Sequence, residues 1–128
     1  MAESEMFWRG AESGVLVIQR CRSCDRSQHF PRARCHFCLG EDLEGRTSSG
    51  HGTLLTFSTV HRPPSPEFAD LVPYTLGIVR LDEENVQVMA RILEAEEDLE
   101  LDLPVTVEFT ASPLGPIMPA FRRRGRSE

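Results

Sequence analysis

Four cysteines arranged as two closely spaced pairs constrain this chain more than any other feature. The sequence reads CRSC and then, after ten further residues, CHFC, which sets the candidate ligands at Cys21, Cys24, Cys35 and Cys38. Two cysteines separated by two residues on a tight turn can aim both sulfurs at one point, and a second turn completes a tetrahedron of thiolates. The spacing predicts a structural zinc site, with iron as the second option because thiolate tetrahedra accept either metal.

Other uses of the cysteines are weaker interpretations. Two disulfides are one alternative, and a redox pair needs a low-pKa thiol at a helix N-terminus in a βαβ setting, which neither pair has. Histidines at His29, His36, His51 and His61 are expected to be surface or loop residues, since four cysteines already complete a ligand set. With all four thiolates used, no coordination position is open to water or substrate, so we predict no metal-assisted hydrolysis.

Composition removes several classes of function. All 14 basic residues are arginine, which excludes Schiff-base chemistry, a pyridoxal phosphate anchor and a lysine-containing phosphate loop. No apolar run reaches about 20 residues and no signal-peptide pattern follows Met1, so we predict a cytoplasmic protein that does not bind membranes. A chain of 128 residues can form one ordinary domain or two small ones, and small units with little core benefit most from a bound metal.

Charge is unevenly distributed along the chain. Residues 63–121 carry 2 arginines against 12 acidic residues, whereas residues 122–128 carry 4 arginines against 1 acid. A surface that binds polyanions would need the reverse in the middle segment, so we predict no nucleic-acid partner. A protein that binds single-stranded nucleic acid stays the alternative function, because a ribbon followed by an OB barrel is common in that class.

The two ends of the chain have distinct patterns. Residues 1–14 are predicted to form a docking helix that contains Trp8, the only tryptophan, and ends at Gly14, where glycine tolerates a left-handed conformation. The helix could dock on its own chain or on a partner. Residues 122–128 are predicted to be an arginine-rich tail, disordered or bound to a phosphorylated cofactor such as coenzyme A.

The cysteine pairs lie in a segment with short strand patterns. Residues 15–45 are predicted to form a zinc ribbon, in which the β-branched run at residues 15–20 leads directly into the first cysteine turn. A second short strand is expected at residues 27–31, before the second turn. The polar, glycine-rich stretch at residues 43–52 predicts a linker or a tight passage into a new unit, and we place the domain boundary between residues 45 and 46.

Residues 46–121 have the pattern of a small barrel. Short strands separated by turns are predicted at residues 52–61, 74–81, 86–93, 105–110 and 117–121. Five strands at this spacing favour a five-stranded OB fold, so the predicted fold class is mostly β. The acidic run at residues 94–102 is expected to be a solvated helix or loop between the third and fourth strands. A proline-rich loop at residues 61–66 joins the first two strands and is stiff enough to bind a ligand with little loss of entropy.

Several stretches together resemble a known family. They are FW at residues 7–8, GVLVIQRCRSC at 14–24, FPRARCHFC at 30–38, GHGTLLTFSTVHRPP at 50–64, VPYTLGIVRLDE at 72–83 and MPAF at 118–121. They are similar to acyl-CoA-associated OB-fold proteins with an N-terminal rubredoxin-like zinc ribbon, which accompany thiolase-like enzymes. The chain departs from that family at Asp25, where rubredoxin-like turns prefer glycine, and at Asp102-Leu103-Pro104, where the family usually has a glycine.

The resemblance implies a subunit that has no catalytic residues of its own. Members bind a thiolase-like acyltransferase or aldolase, or an enoyl-CoA hydratase, and the barrel helps to hold acyl-CoA or to bridge two enzymes. We therefore predict a hetero-oligomer and no independent enzyme activity. The expected contacts with acyl-CoA or the partner are Trp8, Arg32, His61, Arg62, Pro63, Tyr74 and Phe121. A hydrolase that uses Ser58 and His61 is disfavoured because the sequence lacks a Gly-x-Ser-x-Gly elbow.

Overall fold

The computed structural model describes residues 2–29, 31–111 and 117–124, with the side chains of residues 2–4 left out. These ranges contain one α-helix and eight strands. The elements are α1 (Ala2–Glu12), β1 (Leu16–Cys21), β2 (Ser27–Gln28), β3 (Leu43–Ser48), β4 (His51–Val60), β5 (Tyr74–Leu81), β6 (Gln87–Ile92), β7 (Pro104–Ala111) and β8 (Ile117–Arg123). The prediction of a mostly β protein with a short N-terminal helix is confirmed.

The ribbon is a three-stranded antiparallel sheet in the order β2-β1-β3. The linker predicted at residues 43–52 is wrong, because β3 pairs with β1 over its full length, from Leu16–Ser48 to Cys21–Leu43, and β4 begins three residues later. The polar residues of β3 are held by cross-strand partners, including an ion pair of 2.9 Å between Arg20 and Glu44. The boundary predicted between residues 45 and 46 therefore falls inside a strand.

The other five strands close into a barrel in the order β4-β5-β6-β8-β7, and β7 pairs back to β4. All neighbours are antiparallel except β6 and β8, which run parallel and share only the pairs Arg91–Ala120 and Ile92–Phe121. This arrangement confirms the predicted five-stranded barrel. The turn predicted between the last two strands, at residues 112–116, lies outside the described residues.

Helix, ribbon and barrel share one hydrophobic core. The helix contributes Phe7, which is 3% exposed, and β1 contributes Leu16 and Ile18 to the same cluster as the barrel residues. The helix packs on β1 and β8, so it docks on its own chain. It ends before Gly14, whose φ of +78° is the left-handed conformation expected for that glycine.

The last described residues are not a free tail. Arg122 and Arg123 belong to β8, and Arg124 donates a hydrogen bond of 3.0 Å to Asp82. The prediction of a tail is therefore wrong for these three residues, because each finds a partner on the barrel; residues 125–128 lie outside the described residues. Arg122 pairs with Glu108 on β7, and the backbone N–H of Arg123 donates to the Glu94 side chain at 3.0 Å.

The acidic run between β6 and β7 forms a loop with one short 3-10 turn at Glu96–Asp98. Its acidic side chains in the turn are exposed, which agrees with the expected solvated loop. Within the described ranges, no helix has the length and the apolar character needed to cross a membrane.

Gly77 provides a test of how tightly the barrel closes. A Cβ atom at this position would lie 2.8 Å from Leu54 Cδ1 and 2.9 Å from Ile92 Cγ1, both inside the barrel. We predict that Gly77→Ala lowers the free energy of unfolding by about 1–3 kcal/mol, the usual cost of overpacking a core. Denaturant unfolding measures it. The added cost should be smaller in a Leu54→Ala background, and an equal cost in both backgrounds would contradict the proposed clash.

Candidate functional site

The four cysteine sulfurs converge on one point at the end of the ribbon. The sulfurs of Cys21 and Cys38 lie 3.6 Å apart, as do those of Cys24 and Cys35, and all four lie within 4.8 Å of one another. A zinc ion bound by sulfurs at about 2.3 Å requires sulfur separations of about 3.8 Å. None of the cysteines forms a disulfide. The geometry therefore fits a four-coordinate thiolate metal site, in which all four predicted ligands are brought together.

Both cysteine turns have the same backbone design. The N–H of Asp25 donates to the carbonyl of Cys21 at 2.8 Å, and the N–H of Leu39 donates to the carbonyl of Cys35 at 2.9 Å. Each donor residue has a left-handed φ, of 65° and 64° respectively. The two departures from the family pattern are explained in part here, because Asp25 and Asp102 both adopt a φ of 65°, which aspartate tolerates better than most residues.

Backbone N–H groups point at the sulfurs of the second turn. Cys35 Sγ accepts from the N–H of Phe37 at 3.3 Å and of Cys38 at 3.5 Å, and Cys38 Sγ accepts from the N–H of Gly40 at 3.4 Å. The hydrogen bond from Cys38, opposed by burial and assisted by that from Phe37, lowers the pKa of the Cys35 thiol to about 6. For Cys38 the hydrogen bond from Gly40 lowers the pKa, but the other three cysteines and burial outweigh it and raise the pKa to about 11. Donors of this kind stabilise a thiolate, which is the form that binds a metal.

Two buried glutamines hold the segment between the cysteine turns by hydrogen bonds to its backbone. Neither was among the residues predicted from the sequence. Gln19 Nε2 donates to the Arg32 carbonyl at 2.9 Å, and Gln19 Oε1 accepts from the Arg32 N–H at 2.8 Å. Gln28 Oε1 accepts from the His36 N–H at 2.7 Å, and its Nε2 donates to Gln19 Oε1. These bonds position the second turn, which has no strand of its own to hold it. A glutamine on each strand flanking the first turn was the only available signal.

Two of the predicted contact residues, Trp8 and Tyr74, line an apolar groove on the outer face of the barrel. The groove has a volume of about 490 Å³ and is bounded by α1, by His29 of the ribbon, by the segment before β5, and by strands β5, β6, β7 and β8. The Trp8 ring packs edge-on against Phe7, with 5.0 Å between the two ring centroids. The ring centroids of Tyr74 and Phe68 lie 6.0 Å apart. Met89, which is 67% exposed, and Met118 form the open side.

A polar pocket of about 590 Å³ adjoins the groove and contains His61. Tyr74 and Arg91 line both cavities, so the two lie side by side at these residues. Arg91 Nε is buried and has no hydrogen-bond partner among the described residues. Glu94 and Arg122 also line the pocket, which therefore carries both signs of charge.

The other predicted contacts lie elsewhere. Arg62 and Pro63 are exposed on the proline-rich loop, and the Arg32 side chain is exposed on the ribbon. Phe121 is 0% exposed and is part of the barrel core, so it is unavailable to a ligand or a partner at the surface. The prediction that Phe121 contacts a ligand or a partner is therefore wrong. Its side chain points inward from β8 and fills the barrel core.

The architecture defines this chain as a zinc-ribbon protein with a C-terminal OB fold. Residues 8–44 match the family described as the ChsH2 rubredoxin-like zinc ribbon domain, and residues 45–110 match the ChsH2 C-terminal OB-fold domain. The chain belongs to this ChsH2, or DUF35, family, which confirms the resemblance seen in the sequence.

Relatives and solved structures extend the match along the chain. The chain is 30% identical over 117 residues to a probable enoyl-CoA hydratase alpha subunit of Thermomonospora curvata, covering 91% of this chain but only 36% of that protein. It is 30% identical over 100 residues to a DUF35 domain-containing scaffold protein of Methanothermobacter thermautotrophicus, covering 77% of this chain and 74% of that one.

Among solved structures, a chain of the Ltp2-ChsH2(DUF35) aldolase is similar with a TM-score of 0.82 and 26% identity, covering 96% of this chain and 95% of that chain. A DUF35 protein of unknown function from Sulfolobus solfataricus has a TM-score of 0.65 at 12% identity, covering 94% and 84% of the two chains, and shows the same fold.

The metal site can be tested by removing one ligand. We predict that Cys35→Ser abolishes stoichiometric metal binding and yields a destabilised or insoluble protein, because three thiolates no longer close the site. Metal content of the purified protein by mass spectrometry is the measurement. Ser58→Ala, at an exposed position on β4, is the control and should keep its metal. A Cys35→Ser variant that still carries one tightly bound ion per chain would refute the assignment.

His29 provides a test by pH. Burial lowers the pKa of this histidine to about 4. The His29 ring lies against the buried Phe7 ring, with 5.3 Å between the two ring centroids. In the unfolded chain the His29 ring takes up a proton near pH 6.5, whereas in the folded chain it does so only near pH 4. Protonation between these values therefore favours the unfolded chain, and the stability present above pH 6.5 is lost as the pH falls towards 4. We expect a loss of roughly 1 kcal/mol between pH 7 and pH 5.5.

Denaturant unfolding at several pH values measures this loss. His29→Leu should flatten the dependence relative to the natural chain, whereas His51→Asn, at an exposed position, should leave it unchanged. The comparison of slopes removes any common effect of acid on the metal site. Equal slopes for His29→Leu and the natural chain would show that His29 is not the titrating group.

Proposed function

We propose that this chain is a non-catalytic accessory subunit of an enzyme complex that processes acyl-CoA. In this proposal it binds a thiolase-like acyltransferase or aldolase, or a hydratase, and helps to hold the acyl-CoA. The observation that carries the proposal is the similarity to ChsH2 in an aldolase assembly, which extends over 96% of the chain at 26% identity. The names of the two relatives, a scaffold protein and a hydratase subunit, support the same role.

The site geometry supports the absence of independent chemistry. All four thiolates are needed to complete the metal site, so it offers no open position for a substrate. Ser58 and His61 are both exposed, and no hydrogen bond joins them within the described part of the chain, so they do not form a nucleophile and base pair. In the proposed complex, the reacting groups belong to the partner.

The metal is proposed to be zinc with a structural role. Bound there, it would supply a closed tetrahedral cross-link and no reaction step, and the four cysteines would hold it. Iron is the alternative metal that the same four thiolates could bind. The absorption spectrum of the purified protein separates the two, because a ferric thiolate site is coloured and a zinc site is colourless.

Single-stranded nucleic-acid binding is not adopted as a second function. Binding without sequence preference uses exposed aromatic side chains as stacking platforms within a basic groove. Here Tyr74 is only 9% exposed, and the open side of the groove is formed by Met89 and Met118. The acidic residues of the adjoining loop also oppose a polyanion.

Co-expression tests the proposal directly. We would produce the chain with each thiolase-like and hydratase protein encoded near it and examine complex formation by size-exclusion chromatography. The proposal expects a stable heteromeric complex that turns over acyl-CoA, and no turnover by the chain alone. Enzyme-like turnover by the isolated chain, or failure to bind any of these candidates, would overturn it.

Arg62 on the proline-rich loop is a specific candidate contact within this function. We predict that Arg62→Ala weakens binding of the partner or of acyl-CoA by about tenfold, the loss expected for a hydrogen bond to a charged group. Unfolding and metal content should not change, because the side chain is exposed. Arg80→Ala, also exposed but near the opposite end of β5, is the matched control. Titrations that give the same Kd for Arg62→Ala and the natural chain would exclude this contact.

A further inference from the structure

We propose that the outer groove binds the apolar acyl group of a thioester, and that the adjoining pocket takes the neutral arm to which the sulfur is attached. This inference rests on the proposed function, in which the chain helps to hold acyl-CoA. It adds where the acyl group lies and which part of the ligand is recognised. Recognition is by the acyl group and the neutral arm, and the phosphates contribute little.

The groove has the size and lining of a site for a small apolar group. Its volume of about 490 Å³ lies within the usual range for small-molecule sites. The lining that carries the argument consists of Trp8, Phe68, Tyr74, Leu76, Met89 and Met118. Methionine side chains are flexible and polarisable, so they can adapt to acyl groups of different shape.

The position of the groove follows from the barrel topology. On β6, the side chains of Val88, Ala90 and Ile92 are buried while Met89 is exposed, which places Met89 on the outer face. The described pairing between β6 and β8 is limited to two residue pairs that begin at Arg91. Met89 and Met118 come before those pairs on their strands and line the groove, with α1 contributing Trp8 to its wall.

The adjoining pocket indicates which polar group would follow the acyl chain. Tyr74 and Arg91 line both cavities, which therefore meet at these residues, and in this proposal one elongated ligand spans the two. The pocket contains three glutamates against two arginines, and one of these arginines, Arg122, already pairs with Glu108. Phosphate groups would meet like charge there, whereas neutral amides find both donors and acceptors.

Arg91 lies where the thioester would pass from the groove into the pocket. No ion-pair partner of Arg91 occurs among the described residues, and its buried Nε–H has no acceptor there. A thioester carbonyl at this point could accept that hydrogen bond, and a buried donor gains stability when it is paired. Arg91 is thus a positioning contact for the ligand, and no catalytic role is assigned to it.

Trp8 makes the proposal measurable, because the only tryptophan of the chain lies in the groove. The full chain would be titrated with decanoyl-CoA, decanoyl-pantetheine and unacylated CoA while tryptophan emission is recorded. We expect both decanoyl thioesters to change the emission saturably, with Kd values within about threefold of each other, and unacylated CoA to bind at least about tenfold more weakly.

Two variants and a control locate the site. Met89→Glu and Met118→Glu place a charge on the open side of the groove and should raise the Kd for decanoyl-pantetheine at least about tenfold. Leu101→Glu changes another exposed apolar residue, 62% accessible and outside the groove, and should leave the Kd unchanged. Circular dichroism and metal content would verify that all three variants are folded.

The outcomes separate this inference from the proposed function. Equal binding of CoA and decanoyl-CoA, unaffected by Met89→Glu, would overturn the inference and leave acyl-CoA binding intact at another place. Loss of partner binding in both methionine variants, without any change in thioester affinity, would show that the groove is covered by the partner protein and also overturn it. A chain that forms the complex but binds no decanoyl thioester likewise contradicts the inference alone.

Discussion

The convergence of four sulfurs is the constraint on which the rest of this structure depends. The two cysteine turns have almost no apolar residues of their own to bury, and Phe37 and Leu39 on the second turn are exposed. An ion held by the four thiolates would replace the missing core, since thiolate binding to zinc stabilises small folded units by about 10–16 kcal/mol. The buried Gln19 and Gln28 then transmit this order to the segment between the turns, because their side chains satisfy its backbone groups.

The ribbon and the barrel depend on each other through the helix. Phe7 belongs to the same core cluster as Leu16 of the ribbon and Val105 of the barrel. The helix therefore fills a space that neither sheet closes by itself, and small units gain stability by sharing such a core. Because α1 packs on β8, it also places Trp8 beside the outer face of the barrel, next to the short parallel pairing of β6 and β8.

The features predicted correctly from sequence are local ones. The cysteine spacing identifies the four candidate metal ligands, because each pair lies on one short turn. Alternating apolar residues identify the barrel strands. The errors concern residues whose structure depends on distant partners. β3 reads as a linker because its polar residues are stabilised by partners elsewhere in the chain, above all on β1, for example through Arg20 and Glu44. Arg124 reads as part of a tail because its partner, Asp82, lies far away in the sequence. Likewise, the inward direction of Phe121 follows only from the register of β8.

The joint construction of the groove links the metal to the outer face of the barrel. One wall comes from Trp8 and from His29, which directly follows β2 of the ribbon, and the other comes from barrel residues such as Tyr74 and Met89. A barrel alone would present only the second wall, as an open apolar face. The energy that folds the ribbon therefore also maintains the first wall, although none of the four cysteines lines the groove. A metal with no open coordination position can in this way support binding at a distance, by holding in place the element against which a ligand must pack.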